Sequence, residues 1–125
     1  MIVGVVSVQG LPTIILPIAG RDWPATIDTG FNGDLELPAA LREPLNAQFV
    51  GRARAALAGG QSVEEDLYLV EFPLVQAEAT FVPGSRILIG TRLLREYSLQ
   101  IDFVNRTVRL ARASLIVLTR RSSDR

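Results

Sequence analysis

The sequence predicts an all-β domain with one or two very short helices. Apolar residues come in short β-branched or alternating runs, and Gly, Pro and Asn punctuate them. Apolar spacing of the helical kind never persists beyond about two turns. The chain has 125 residues, one domain's worth, with room for a core of its own. The expected domain covers residues 1–118, and 119–125 reads as a polar tail.

Ile2 to Val8 is a β-branched run bounded by Gln9-Gly10. Leu11-Pro12 opens a second run, Thr13 to Ile18, closed by Ala19-Gly20, and the two form a hairpin. Trp23 to Ile27 is a third strand. Gly30, Asn32, Gly33 and Asp34 cluster as a loop, and Leu35-Glu36-Leu37 is a brief strand stopped by Pro38. In that strand Asp34 and Glu36 alternate toward solvent. Pro38 to Leu45 holds good helix formers between two prolines, enough for about one and a half turns. Phe49 to Leu57 and Ser62 to Phe72 form a second hairpin, with Ala58-Gly59-Gly60-Gln61 at its tip. Pro73 to Phe81 continues extended, and Pro83-Gly84-Ser85 turns. Arg86 to Ile89 is a short strand into Gly90. Thr91 to Tyr97 is a short amphipathic helix with Thr91 as its N-cap. Leu99 to Phe103 and Thr107 to Leu110 alternate about a turn at Asn105, and Ser114 to Leu118 is a last β-branched run.

Composition narrows the chemistry. The chain has no His, no Cys and no Lys; its 13 basic residues are all Arg. Ser–His and Cys–His nucleophile pairs and a Lys Schiff base are therefore impossible within it. Zinc sites of thiolate or imidazole are excluded too. Acid–base work falls to Asp or Glu, with Tyr68 and Tyr97 as minor candidates. Net charge is zero and pI is about 6.2, so no general attraction to nucleic acid or an anionic membrane is expected. No apolar run approaches a membrane span. Met1 to Val6 starts as a strand rather than a basic leader, and a cytoplasmic location is the expectation. Asp or Glu could do the acid–base work with or without a hard metal ion.

Ile27-Asp28-Thr29-Gly30 is the most informative segment. A strand runs into an Asp, then a hydroxyl residue, then a Gly that lets the chain turn at once. This holds a carboxylate at a strand end at a defined depth. The same residues suit a plain turn in which Asp28 caps its own backbone. Glu64-Glu65-Asp66 lacks the ligand ladder of a calcium loop and reads as a solvated strand edge. Asp102 reads as a surface partner of Arg106 and Arg109, and Trp23 as core or interface packing.

Ala25-Thr26-Ile27-Asp28-Thr29-Gly30 and Ile87-Leu88-Ile89-Gly90-Thr91-Arg92-Leu93-Leu94 together resemble the two signature steps of the retropepsin-like aspartic proteases. Gly30 and Gly90 stand 60 residues apart with a Gly-tipped hairpin between them. The hairpin from Ile101 to Leu110 resembles bacterial members, and the resemblance covers roughly residues 2–112. It implies a closed β-barrel and a homodimer that hydrolyses peptide bonds with neither a metal nor a cofactor. Asp28 of each chain would share one water and one proton. Thr29 would lock the two turns across the dimer, and Gly30 would let substrate backbone approach. Phe31, Asn32 and Ile89 would flank the cleft, and Ala58, Gly59, Gly60 and Gln61 would form the flap. The dimer contact would use the Ile2–Val8 region and the Ser114–Leu118 strand.

The sequence departs from the retroviral pattern. Phe31 replaces a small residue and either fills core or narrows the cleft. Asn32 and Thr91 stand where an acid and a base are usual, so a neutral contact replaces an ion pair. A non-catalytic peptide-binding or scaffolding dimer with Phe31 in the cleft is the alternative function. A monomeric β module with a structural Asp28 is a third.

Overall fold

The computed structural model describes residues 1–56, 59–72 and 75–113. Ten strands follow in chain order: β1 Ile2–Val6, β2 Pro12–Ile18, β3 Arg21–Ile27, β4 Leu35–Pro38, β5 Gln48–Ala56, β6 Ser62–Phe72, β7 Val75–Val82, β8 Ile87–Ile89, β9 Tyr97–Asp102 and β10 Thr107–Arg112. One helical turn, α1, spans Thr91–Leu94, and a 3-10 turn spans Ala39–Leu41. The all-β expectation is met. The described strands form one sheet in the order β5-β6-β7-β4-β8-β3-β2-β1-β10-β9. That sheet is open, ending at β5 and β9, so the expected closed barrel is corrected to a curled sheet with two edges.

Alternation places the core. Ile14, Leu16 and Ile18 of β2 and Trp23, Ala25 and Ile27 of β3 point inward and are buried. They meet Leu35 and Leu37 of β4, Ile87 and Ile89 of β8, and Val108 and Leu110 of β10. Trp23 is thus core, with the Arg21 guanidinium 4.3 Å from its ring centroid. Val3 and Val5, on the other face of β1, are 64% and 57% exposed.

Where element limits differ from the sequence reading, local geometry explains it. β3 starts at Arg21 because Ala19 and Gly20 adopt φ of 52° and 78°, the left-handed pair of a two-residue hairpin turn. β1 ends at Val6 because the Ser7 hydroxyl accepts the Leu11 N–H at 3.1 Å and shapes a turn. The expected helix from Pro38 to Leu45 shrinks to the 3-10 turn, with Pro38 paired into β4 beside Val82. Tyr97 pairs with Arg112 in the sheet, which limits the second helix to one turn. β1 pairs with β10 from Ile2 to Val5 but with β2 only at Val5 and Val6. The other expected dimer strand, Ser114 to Leu118, lies outside the described residues. Among the described residues, no helix is long and apolar enough to cross a membrane.

Candidate active site

The position of β8 creates the site. β3 and β4 are consecutive in sequence but not neighbours: β8 lies between them, parallel to β3 and antiparallel to β4. The loop joining them, residues 28–34, must therefore cross the end of β8. Asp28 N–H donates to the Ile89 carbonyl at 2.9 Å and starts that crossing. Gly90 N–H then donates to Asp34 O at 2.9 Å, Thr91 N–H to Phe31 O at 2.8 Å and Arg92 N–H to Gly33 O at 3.2 Å. Amides at a helix start have no partner inside the helix. In α1 those of Thr91 and Arg92 are taken by the loop's carbonyls.

This strapping requires a glycine at position 90. A Cβ there would stand 2.7 Å from the Phe31 carbonyl oxygen and still closer to that of Gly33. Thr91 is not the N-cap that the sequence suggests. Gly90 occupies that place with no side-chain cap, and the Thr91 hydroxyl donates to Phe31 O at 3.3 Å.

Asp28 is half-buried, and Thr29 and Gly30 are exposed. Asp28 Oδ1 accepts the Gly30 N–H at 3.0 Å, the bond a capping turn makes. Oδ2 has no hydrogen-bond partner among the described residues. The carboxylate is thus fixed by one oxygen and presents the other. Phe31 folds back over its own loop, with its ring against Gly33 and Gly90. A cavity of about 510 Å³ lies between this loop and the arms of the β5–β6 hairpin. Gly30, Phe31 and Asn32 line it with Ala53, Arg54 and Leu67; Asp28 and Thr29 lie just outside its lining. Gly59, Gly60 and Gln61 sit exposed at the hairpin tip, where Gly60 has φ of 81°. Ala58, the remaining flap residue, lies outside the described residues. Ile89 is buried, and it reaches the site through its backbone.

Three charged contacts were not legible in the sequence. Asp34 faces the protein interior, its side chain only 12% exposed. Its Oδ2 accepts the Glu78 N–H at 2.9 Å, and its Oδ1 lies 4.0 Å from Arg92 Nε. Arg92 Nη1 meets Glu78 Oε1 at 2.6 Å. Thr91 bonds the Phe31 carbonyl rather than Asn32, so the neutral contact expected between Asn32 and Thr91 is replaced by this one, with an ionic contact beside it carried by Arg92. Glu36 is half-buried rather than solvent-facing, and Leu88 and Thr80 are its cross-strand neighbours. Burial first, then the negative charges of Glu65 and Asp28, push its carboxyl above the usual range. The only sequence signal for Glu36 was its place between two buried leucines. Away from the site, Arg52 pairs with Glu64 and Asp66 at 3.5 and 3.3 Å, all well exposed. Asp102 accepts from Asn105 N–H and Nδ2 at 3.0 and 2.8 Å instead of pairing with an Arg.

Glu36 gives a stability prediction. Its folded-state carboxyl binds protons more tightly than the unfolded one, so its contribution improves as pH falls and worsens as pH rises through the carboxylate range. Glu36→Gln removes the buried charge. The variant should melt higher than the parent at neutral pH, and the two should converge in acid. Scanning calorimetry across pH checks it; a lower neutral-pH midpoint would contradict the assignment.

No family model matches the sequence, and no curated protein does. Solved structures do. A retropepsin-like aspartic protease from Rickettsia conorii superposes with TM-score 0.57 at 15% identity, over 90% of this chain and 89% of that one. The foamy viral protease–reverse transcriptase bound to an RNA/DNA hybrid gives TM-score 0.57 at 18% identity over 74% of this chain. The chain matches only 13% of the length of that viral protein, against nearly all of the Rickettsia one. These superpositions show that the chain has the fold of the retropepsin-like aspartic proteases.

Proposed function

We propose that this chain is one half of a homodimeric aspartic endopeptidase, with Asp28 of each copy forming the catalytic pair. The observation that carries the reading is the Asp28 turn: a strand-end carboxylate strapped to the Gly90 step, with one oxygen fixed and one offered. The likeness in fold to a retropepsin-like aspartic protease supports peptide hydrolysis as the chemistry for that carboxylate. The second copy is a demand of the chemistry. One carboxylate must take a proton from water while another gives a proton to the scissile carbonyl oxygen. Two carboxyl groups brought face to face share a single proton, because both cannot ionise comfortably. The water oxygen then bonds to the carbonyl carbon. The protonated carboxyl then gives its proton to the amide nitrogen while the other carboxylate takes one from a hydroxyl of the tetrahedral diol. The C–N bond thus breaks, the acid product forms and the pair again holds one proton. The titration belongs to the pair.

Phe31 supports an open cleft. Its ring packs on Gly33 and Gly90 and forms one wall of the cavity under the hairpin. An extended peptide would enter there, with Thr29 buttressing the two turns and Gly59, Gly60 and Gln61 closing from above.

The test is cleavage of a mixed peptide library between about pH 4 and 7, where a shared-proton pair works. A statine-type transition-state analogue should bind at least about a hundredfold tighter than a cleaved peptide. Peptide binding without cleavage would favour the scaffolding alternative, and cleavage indifferent to the analogue would move the chemistry elsewhere.

A further inference from the structure

We infer that Arg92 is a positioning residue for Asp28, acting through a three-element clamp with Asp34 and Glu78; the inference rests on Asp28 being the catalytic group. Each member comes from a different part of the chain. Asp34 ends the loop that carries Asp28, Glu78 belongs to β7, and Arg92 sits in α1. Asp34 Oδ2 holds the backbone of β7 through the Glu78 N–H at 2.9 Å. Arg92 bridges the two carboxylates, at 2.6 Å from Glu78 and 4.0 Å from Asp34.

Backbone bonds and the Thr91 hydroxyl tie the loop to Gly90, Thr91 and Arg92. The clamp adds a third anchor, because Glu78 pairs with Leu69 of β6, in the strand that rises into the hairpin over the cavity. Loop, α1 and hairpin base are thus locked at one junction. Asp34 is nearly buried, so its charge needs compensation, and Arg92 supplies the nearest cation. Without Arg92, Asp34 must draw in water or turn outward, and the loop from Asp28 to Asp34 moves with it. A catalytic group misplaced by about 1 Å costs on the order of a hundredfold in rate. Arg92 also lines the cavity beside Gly30 and Asn32, but its guanidinium is held by protein carboxylates. Its role is therefore to position, with no chemical step of its own.

The full-length chain is compared with Arg92→Gln and Arg92→Lys, with Arg112→Gln as a control. Arg112 makes an exposed pair with Glu96 at 3.0 Å; it borders a cavity shared with Asp34 and Arg92 but bonds to none of the clamp's residues. Arg92→Gln should lower kcat about ten- to a hundredfold, with KM within about threefold. Lys, which reaches Glu78 but cannot span both acids, should fall between. Amide exchange at Gly90, Thr91 and Arg92 should quicken by about tenfold in Arg92→Gln, with β1 and β10 unchanged. Arg112→Gln should move none of these. Unchanged exchange in Arg92→Gln overturns the clamp, and quickened exchange with unchanged kcat overturns the positioning role. If the parent cleaves no peptide, the endopeptidase reading fails and positioning falls with it; exchange still decides whether the clamp exists.

Discussion

Asp28→Asn should abolish peptide hydrolysis and leave the fold standing. The amide cannot accept or return the proton that water cleavage requires, so kcat should fall by about a thousandfold or more. Its oxygen can still accept the Gly30 N–H that Asp28 Oδ1 accepts at 3.0 Å, so the turn keeps its local bond. Removing one partly exposed charge should change stability by no more than about 0.5 kcal/mol. Rate measurements on purified protein, paired with thermal melts of both forms, check the two halves together. Activity surviving in the variant would assign catalysis to another residue. Loss of activity together with the fold would make Asp28 a structural turn residue.

Gly90→Ala should do the reverse and strike the fold first. The added methyl collides with two carbonyl oxygens of the loop, those of Gly33 and Phe31, and with the Phe31 ring. Main-chain atoms cannot swing aside as a flexible side chain can. The strap holding the loop would have to open, and its bonds from Gly90, Thr91 and Arg92 would weaken together. We expect a loss of about 3 kcal/mol or more, at or above the upper end for overpacking. Gly30→Ala is the informative contrast. A Cβ there meets only Asp28 Oδ1, at 3.3 Å, which a small side-chain adjustment relieves. It should cost the monomer little and reduce activity by crowding bound peptide. Denaturant melts of both variants check this pair, and equal destabilisation would contradict the strap.

The strands were legible because their alternation is local. Ile14, Leu16 and Ile18 announce an inward face, and Ala19-Gly20 a turn, from a few residues of sequence. The Asp28 turn and the Gly90 step were legible for another reason: Asp-Thr-Gly alone suits many turns, but the two steps in order with a Gly-tipped hairpin between them do not. Neighbours in the sheet were not legible. Alternation tells which way a side chain points, not which strand lies beside it. The insertion of β8 between β3 and β4 therefore came only with the structure. So did the place of β1 between β2 and β10. Asp34 and Glu78 lie 44 residues apart, and nothing local marks them as partners of each other or of Arg92. Glu36 read as solvent-facing for the same reason. Its alternation was right, but β8 and β7 half-cover the face it lies on. The short helices were misjudged in length because propensity favoured continuation, while pairing with Val82 kept Pro38, the expected start of the first, in β4 and pairing of Tyr97 with Arg112 ended the second early.

The account stands on two copies of Asp28 acting as one site. The direct measurement mixes parent and Asp28→Asn chains at fixed total concentration, allows subunits to exchange, and follows peptide cleavage. If each site needs an acid from both copies, activity falls with the square of the parent's share. A fall in simple proportion to that share would mean that one chain suffices, and would contradict the paired-carboxylate account.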